Sequence, residues 1–440
     1  MMLISRRTLL IFAAMFGTPT TDTTLLGAQT VAPTIPVRQL GPPLATSRDT
    51  MGVFVTLRAL SDGHVIVNDV GHTRVMLLDS ALSHGRVVID TVGGSSPSSP
   101  TRAPLHSVTL IRYQGDSTLY IDRAAQSVLV LDRSGKVARV MALPRPQDIP
   151  YLAGGGEGGQ PEIDSRGRLV YHGVYRPQIR PQDPNIRVPI NIPLQRDSAP
   201  IVRADFDSRR IDTLIALKVN IGAVFDRIES DPQGNVTLHY HVNVEDADDQ
   251  WAMLSDGTVA VISVQDYHME FLDPDGTRRS GPKMPFDWKR LDRTRKQFLV
   301  DSLRPSLDSI NEAPARTINT PDGPRQLRGR YAFISLDKMS DYEQPITTGA
   351  VKADLHAQLW IVPHTTASAQ GGVLYDVVNR EGRLIERVQF PKNHALAGFG
   401  PNGDVYVLRI EGKHAFLERR KLVVQVGHRT VLLYNRHPQS

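Results

Sequence analysis

Two histidines separated by one residue are the side chains best suited to bind a metal. His239-Tyr240-His241 lies in a run typical of a strand, where alternate side chains share one face, so both imidazoles could bind the same divalent ion. Carboxylates that could complete such a site follow at Glu245, Asp246, Asp248 and Asp249. Because zinc and manganese sites need a third and a fourth ligand, two solvated histidines on an exposed hairpin are the alternative interpretation.

A second set of candidates combines Asp, His and Arg at the ends of apolar runs. Its members are Asp69, His72, Asp122, Arg123, Asp266, His268 and His364. If the runs are strands of one repeating fold, these residues lie around one mouth and could bind a polar or anionic ligand. The alternative is the ordinary polar rim of such a fold. The sequence assigns no catalytic residue.

Composition and motifs exclude several classes of chemistry. The 440 residues contain no cysteine, which excludes disulfides, thiol catalysis and Cys-ligated zinc or iron–sulfur centres. Gly154 to Gly159 match G-x-G-x-x-G, but Pro161 and a turn follow at once, so no helix receives a pyrophosphate. The sequence has no G-x-S-x-G elbow, Walker loop, H-E-x-x-H or EF-hand pattern.

The elements that must position the candidates come from a recurring unit. Its clearest copy reads Trp251 to Leu254, the turn Ser255-Asp256-Gly257, Thr258 to Ile262, Met269 to Leu272, and the turn Asp273 to Gly276. Other copies begin near residues 54, 107, 161, 350 and 396. Asp-Gly and Asn-Gly turns permit only tight reversals, and the runs are rich in Val, Ile, Leu and Tyr. Each copy therefore predicts a four-stranded antiparallel meander.

The repeats predict an all-β fold. One meander cannot bury both of its faces, whereas about six of them stacked radially can, as in a β-propeller. Over most of residues 53–422 the pattern resembles the six-bladed β-propeller superfamily that includes NHL-repeat and TolB-like proteins of the exported bacterial type. A seven-bladed ring is the alternative, because residues 224–244 contain an extra hairpin.

Loop lengths predict which face of the ring binds. Turns after the first and third strands of each copy are short, as at Ser61-Asp62-Gly63. Every long insertion follows a second or fourth strand: residues 93–106, 144–159, 171–200, 224–249, 286–349 and 363–372. Connections of this second class share one face, and long loops gathered on one face indicate a binding surface.

The longest insertion predicts a helix over about residues 287–312. Asp287 could cap it, and Trp288, Leu291, Phe298, Leu299 and Leu303 would form its apolar stripe. Pro305 is expected to end or kink it. The helix either packs on the ring as cover or acts as a lid over the central pocket.

The N-terminus predicts export. Residues 1–28 join a basic start to about ten apolar residues and read as a signal peptide, of either the twin-arginine type (Ser5-Arg6-Arg7-Thr8-Leu9-Leu10) or the general secretory type. An N-terminal extension (29–52), the propeller with its helical insert (53–430) and a C-terminal tail (431–440) follow. We expect no membrane span after signal removal. The formal charge of +5 without a dense basic run does not favour nucleic-acid binding.

These observations favour a periplasmic or extracellular binding module that engages a protein, peptide or glycan through the face with the long loops, without catalysis. The resemblance to gluconolactonase-type lactonases and NHL-type lyases implies an alternative, a lactonase- or esterase-like hydrolase or a lyase with a divalent metal at the central mouth. The acidic and Asn metal ligands of that family match no motif in this chain. A quinone-dependent dehydrogenase of propeller type is more distant. No cofactor is assigned, and a divalent metal is the candidate.

Overall fold

Short strands separated by Asp-Gly and Asn-Gly turns make up most of the chain. The computed structural model describes residues 35–90, 110–123, 125–152, 159–173, 178–179, 192–193, 198–219, 223–244, 248–364, 371–426 and 429–432. The predicted signal peptide, Glu245, Asp246 and residues 433–440 lie outside the described residues. So do the whole of loop 93–106 and parts of three other predicted loops, namely residues 153–158, 174–177, 180–191, 194–197 and 365–370.

In chain order, the first elements are β1 (Val37–Leu40), β2 (Ala45–Thr46), β3 (Val55–Ala59), β4 (Val65–Asp69), β5 (Arg74–Leu78), β6 (Gly85–Asp90), β7 (Ile111–Arg112), β8 (Thr118–Asp122), β9 (Ser127–Leu131), β10 (Val137–Ala142), α1 (Ile149–Leu152), β11 (Glu162–Ile163) and β12 (Leu169–His172). Next are β13 (Gln178–Ile179), β14 (Ile192–Pro193), β15 (Ser198–Ala204), β16 (Ile211–Lys218), β17 (Ala223–Ser230), β18 (Val236–Val242), β19 (Gln250–Met253), β20 (Val259–Ser263), β21 (His268–Leu272), β22 (Arg278–Ser280) and α2 (Arg293–Glu312). The last are β23 (Arg316–Thr320), β24 (Gly323–Phe333), β25 (Ile346–Ala353), β26 (Leu359–Pro363), β27 (Leu374–Val378), β28 (Leu384–Gln389), β29 (His394–Gly400), β30 (Asp404–Glu411), β31 (His414–Arg420), β32 (Leu422–Val426) and β33 (Arg429–Leu432).

The described strands include seven groups of four, and one of these groups, β25–β28, continues through β1, β32 and β33 as a seven-stranded sheet. Six are antiparallel meanders, which we number sheets 1 to 6: β3–β6, β7–β10, β11-β12-β15-β16, β19–β22, β25–β28, and β29-β30-β31-β2. The seventh, the insertion sheet, has the order β17-β18-β24-β23, and its central strands β18 and β24 run parallel. β13 and β14 form a separate two-stranded sheet.

The apolar core continues from each meander to the next. One cluster joins sheets 1, 2 and 3, and others join sheets 3 and 4, sheets 4 and 5, and sheets 5 and 6. A further cluster packs Met51 and Val67 of the first meander region against Tyr406 and Leu417 of sheet 6. Four-stranded sheets that pack face to face and return to the first one form a β-propeller. The sequence prediction of an all-β propeller is confirmed.

The N-terminal strands fasten the ring. β2 is the outer strand of sheet 6, with Thr46 opposite Glu418, and β1 lies between β28 and β32 on the outer edge of sheet 5. Residues 37–40 and 45–46, placed by the sequence in an extension, therefore pair with strands of the last two sheets. Strands from the N-terminal and the C-terminal regions of the chain pair with each other, and this pairing removes the exposed sheet edge that an open ring would have at the point of closure.

Connections differ in length as predicted. Those after first and third strands are tight turns, for example residues 254–258 between β19 and β20. The longest follow second or fourth strands and include α1, β13, β14, the insertion sheet and α2. We call the end of the propeller that carries these connections the long-loop face.

The predicted helix is confirmed, with its end at Glu312, but its predicted start was wrong. α2 begins at Arg293, and its N-cap is Asp292 rather than Asp287. Residues 288–291 are extended because the backbones of Arg290 and Tyr342 form a bridge and the Leu291 N–H donates to the Asp341 carbonyl at 2.8 Å. Pro305 lies inside the helix and does not end it.

The predicted apolar stripe of the helix is only partly correct, because Leu299 and Leu303 are partly buried on α2. The buried residues of α2 are Lys296 and Val300, whereas Phe298 is exposed. None of the described helices is long and apolar enough to cross a bilayer.

Candidate functional site

Asp69 and His72, on the connection from β4 to β5, are brought together. The buried Asp69 Oδ1 accepts the Gly52 N–H at 2.9 Å, and its Oδ2 lies 2.7 Å from His72 Nδ1 and 3.2 Å from Arg74 Nε. The His72 ring stacks on His414 of sheet 6, with centroids 6.0 Å apart. Asp69 thus fixes the connection, and His72 reaches the surface between two sheets.

Asp122 and Arg123 occupy the equivalent connection of sheet 2. Asp122 is buried, and its Oδ1 accepts the Ala125 N–H at 3.1 Å, which shapes the turn to β9. Arg123 is exposed. This pair therefore combines a structural carboxylate with a surface cation.

Asp266 and His268 belong to a larger charged cluster in sheet 4. His268 Nδ1 contacts Asp266, and its Nε2 lies 2.6 Å from Glu270 Oε1. Burial disfavours the charged imidazole, but these two contacts raise the pKa of His268 above its ordinary value. Because only a protonated imidazole can donate from both nitrogens, His268 is a cation between two carboxylates. The sequence interpretation missed Glu270 and also Lys283, whose Nζ lies 3.2 Å from Asp266 Oδ2.

His364 follows β26 and is exposed, and its N–H donates to the Pro345 carbonyl at 2.7 Å. In the described part of the chain, no hydrogen bond or ion pair joins His364, the Asp69–His72 pair and the Asp266–His268 pair to one another. These candidates share a face of the propeller but do not form one cluster.

His239 and His241 lie on the same face of the insertion sheet, as the spacing predicts. His239 Nε2 is 3.0 Å from Glu229 Oε2 on the neighbouring strand. Asp249 Oδ1 and Oδ2 accept backbone N–H groups of Val264 and Lys218, each at 3.1 Å, and burial raises the pKa of Asp249. Among the residues that the structure describes, no group of three or more His, Asp or Glu side chains could hold a metal ion.

A row of aromatic rings, unforeseen from the sequence, leads from the core to the long-loop face. The Tyr267 hydroxyl, deep in the core, donates to Asp376 Oδ2 at 2.8 Å, and its ring lies 5.3 Å from Phe286. Phe286 meets Trp288 edge-on at 5.0 Å, and Trp288 meets Tyr342 edge-on at 6.3 Å. Trp288 is 37% exposed and Tyr342 is 47% exposed. The row therefore ends in two fixed, solvent-accessible rings.

A polar cavity of about 280 Å³ is lined in part by Arg290, whose backbone forms a bridge with that of Tyr342. Its lining residues are Arg290, Leu291, Asp292, Arg293, Lys296, Leu336, Asp337 and Asp341. Buried Lys296 donates through Nζ to Asp341 Oδ1 at 2.9 Å and to the Met339 carbonyl at 3.1 Å. Hydrogen bonding from Lys296 lowers the pKa of Asp341. Charged residues within 287–296 and 337–343 are visible in the sequence, but nothing there indicates that the two segments meet.

Charged side chains also lie on the innermost strands. Burial and the nearby Arg112 lower the pKa of Arg58 to about 10, and burial raises the pKa of Glu162. Burial lowers the pKa of Lys352 to about 8. These residues make the short-turn end of the ring's centre polar and predominantly cationic.

Comparisons with known proteins give only weak similarities to this chain. No family model matches it, and no curated protein matches it significantly. Among solved structures it is similar to a virginiamycin B lyase from Staphylococcus aureus (11% identity, 86% of this chain, 98% of that chain, TM-score 0.36). It is also similar to a gluconolactonase from Xanthomonas campestris (10%, 89% and 99%, TM-score 0.36) and to a DUF4221 family member from Bacteroides vulgatus (8%, 88% and 96%, TM-score 0.39). Similarities this weak leave function to the residues of the chain itself.

Proposed function

We propose that this protein is an exported six-bladed β-propeller of the NHL-repeat or TolB-like kind, which binds a protein, peptide or glycan through its long-loop face without catalysis. One observation carries the proposal. Within the described ranges, every insertion that folds into a helix or sheet of its own belongs to a connection of this face. A scaffold that places all such additions at one end presents a recognition surface there.

Exposed apolar side chains support this assignment. Ten large hydrophobic residues are exposed in the described part, and half of them lie in the two connections that build the insertion sheet and α2. Those five are Val224, Trp288, Phe298, Ile310 and Tyr342. Exposed apolar groups concentrated in one region, rather than scattered singly, are typical of interaction sites.

Six blades are supported by packing. The five large apolar clusters run through sheets 1 to 6 and back to sheet 1. The insertion sheet has a small cluster of its own, built on Val236 with Leu238, Ile228, Ile318 and Leu327. It also contains a parallel strand pair, which a blade meander does not. We therefore count it as an insertion and not as a seventh blade.

The test is a footprint of bound partner. Protein lacking residues 1–28 would be immobilised, offered the exported fraction of the source cells, and the captured complex analysed by hydrogen exchange. Protection should appear in residues 284–291 and 336–345, and Arg166→Glu, an exposed position in the short β11–β12 turn, should leave binding unchanged. Protection confined to the short-turn end would contradict the proposal.

Catalysis and export have separate tests. Stoichiometric zinc or calcium together with lactone or ester hydrolysis, both lost in His239→Ala/His241→Ala or His268→Ala, would overturn the non-catalytic assignment. Cell fractionation should find the protein outside the cytoplasm. If the Arg6→Lys/Arg7→Lys variant stays in the cytoplasm, the protein uses the twin-arginine route. If the variant is exported normally, the protein uses the general secretory route.

A further inference from the structure

We propose that the cavity at the start of α2 and the exposed rings of Trp288 and Tyr342 together form a carbohydrate-binding site for neutral sugars. This inference rests on the proposed binding function and names the class of partner. It joins two adjacent features, because the backbone bridge between Arg290 and Tyr342 connects the cavity wall to the aromatic pair.

The rings provide the apolar half of the site. Trp288 stands nearly perpendicular to Phe286 (79°) and to Tyr342 (85°), so edge-to-face contacts hold it on both sides. The row is anchored by Tyr267, whose hydroxyl is bonded to Asp376 in the core. A pyranose ring presents a face of C–H groups, which are attracted to the electron-rich face of an aromatic ring. Two fixed, accessible rings therefore offer a stacking surface.

The cavity provides the polar half. Three cations (Arg290, Arg293 and Lys296) and three carboxylates (Asp292, Asp337 and Asp341) line it, so its formal charge is zero. Sugar hydroxyls both donate and accept hydrogen bonds, and a wall of mixed guanidinium and carboxylate groups can satisfy both roles. A cavity without net charge favours a neutral polyol over a phosphate or an acidic peptide. Its volume of about 280 Å³ is close to the lower limit of ordinary ligand sites, which suits a small sugar unit.

The walls are held in place before any ligand arrives. The Leu291 N–H donates to the Asp341 carbonyl at 2.8 Å, and the Glu343 N–H donates to the Lys289 carbonyl at 2.9 Å. Asp292 Oδ1 accepts the Arg295 N–H at 2.7 Å and so fixes the first turn of α2. A site ordered in advance spends little of its binding energy on ordering.

Tryptophan fluorescence offers a direct test. The chain has three tryptophans, and Trp251 (0% exposed) and Trp360 (2% exposed) are buried, so acrylamide quenching reports Trp288. The probes are neutral hexamers of glucose, mannose, xylose and N-acetylglucosamine, with an acidic uronic-acid hexamer for comparison. We expect at least one neutral hexamer to protect Trp288 from quenching and the acidic hexamer not to do so.

Variants locate the binding. Tyr342→Ala and Asp337→Asn should each lower the affinity for the sugar by about tenfold, which is the loss typical of one good contact. Phe298→Ala, on the same insert and 52% exposed but outside both the cavity lining and the aromatic row, should bind normally. Unfolding curves matching the wild type show that each variant is folded.

The inference is overturned if no neutral hexamer protects Trp288, if Phe298→Ala weakens binding as much as Tyr342→Ala, or if only the acidic hexamer or a peptide library binds. Its failure is separable from that of the proposed function. A partner footprint on the long-loop face without sugar binding removes the inference alone, whereas absence of both removes both.

Discussion

Replacing Glu418 by Gln should destabilise the closure of the ring. Glu418 is 2% exposed on β31 and lies opposite Thr46 of β2. Its carboxylate accepts hydrogen bonds from Arg409 Nε at 2.9 Å and from Arg420 Nε at 2.7 Å. Arg420 Nη1 also donates to the Gly41 carbonyl at 2.8 Å, which ties the N-terminal segment to sheet 6. Gln keeps the shape of the side chain but takes the buried carboxylate away from Arg409 and Arg420, and Arg409 then keeps its contact with Glu411.

The expected loss of stability follows from the shifted pKa of the Glu418 carboxyl group. Burial alone would raise the pKa of Glu418, but the nearby His394, the hydrogen bond from Arg420 and the charge of Arg420 lower it from 4.5 to about 2. At roughly 1.4 kcal/mol per pH unit this is about 3.5 kcal/mol, in the range found when buried ion pairs are broken. Because the folded pKa is depressed, this stability is present above pH 4.5 and is lost as the pH falls toward 2.

Urea unfolding followed by fluorescence and circular dichroism measures the effect. Glu418→Gln should cost about 3.5 kcal/mol at pH 7, and the deficit should shrink by about 1.5 kcal/mol at pH 3.5, where the wild type has begun to lose its contribution. Glu411→Gln is the matched control, because Glu411 contacts the same Arg409 but is 55% exposed, and it should cost at most about 0.5 kcal/mol. Equal effects of the two substitutions, or a deficit that does not change with pH, would refute the reasoning.

Three further perturbations test other parts of the structure. Tyr267→Phe removes the buried donor to Asp376 and should cost about 1–3 kcal/mol in urea unfolding, and an unchanged midpoint would contradict its anchoring role. The pKa of His268 is raised, so its stabilisation is complete below pH 6.5 and is lost as the pH rises through the folded value. His268→Asn should therefore lower the melting temperature more at pH 5.5 than at pH 9, and an equal loss at both would count against a charged His268. Asp292→Ala removes the cap of α2 and should cost about 1 kcal/mol, seen as faster hydrogen exchange in residues 293–300, whereas Asp292→Asn should restore protection.

Local rules predicted the meanders well. In the turn 254–258, Gly257 has φ +87 and Asp256 Oδ1 accepts the Thr258 N–H at 2.9 Å, so the residue types needed for a tight reversal are visible in the sequence. The same rules located the long connections, because a long connection is any segment that is left once the strands and tight turns have been assigned. They also placed His239 and His241 on one face, since side chains in a strand alternate.

Other features depended on partners distant in the sequence. The sequence suggested a helix from Asp287, but the bridge between Arg290 and Tyr342 holds the preceding segment extended, and a tertiary pairing outweighs local helix preference. Pro305 removes only one backbone hydrogen bond, and α2 continues past it. Trp288, expected on a helix, instead completes the aromatic row.

The sequence by itself determined the all-β class, the repeating meander and the distribution of loop lengths, because turn chemistry and the two-residue period of strands act over a few neighbours. Tertiary structure alone decided that strands β18 and β24, from two separate connections, share one sheet, and that Thr46 faces Glu418 across the closure of the ring. It also decided which charged residues surround the cavity at α2. Pairings of this kind depend on which surfaces meet after folding, and no local pattern in the chain records them.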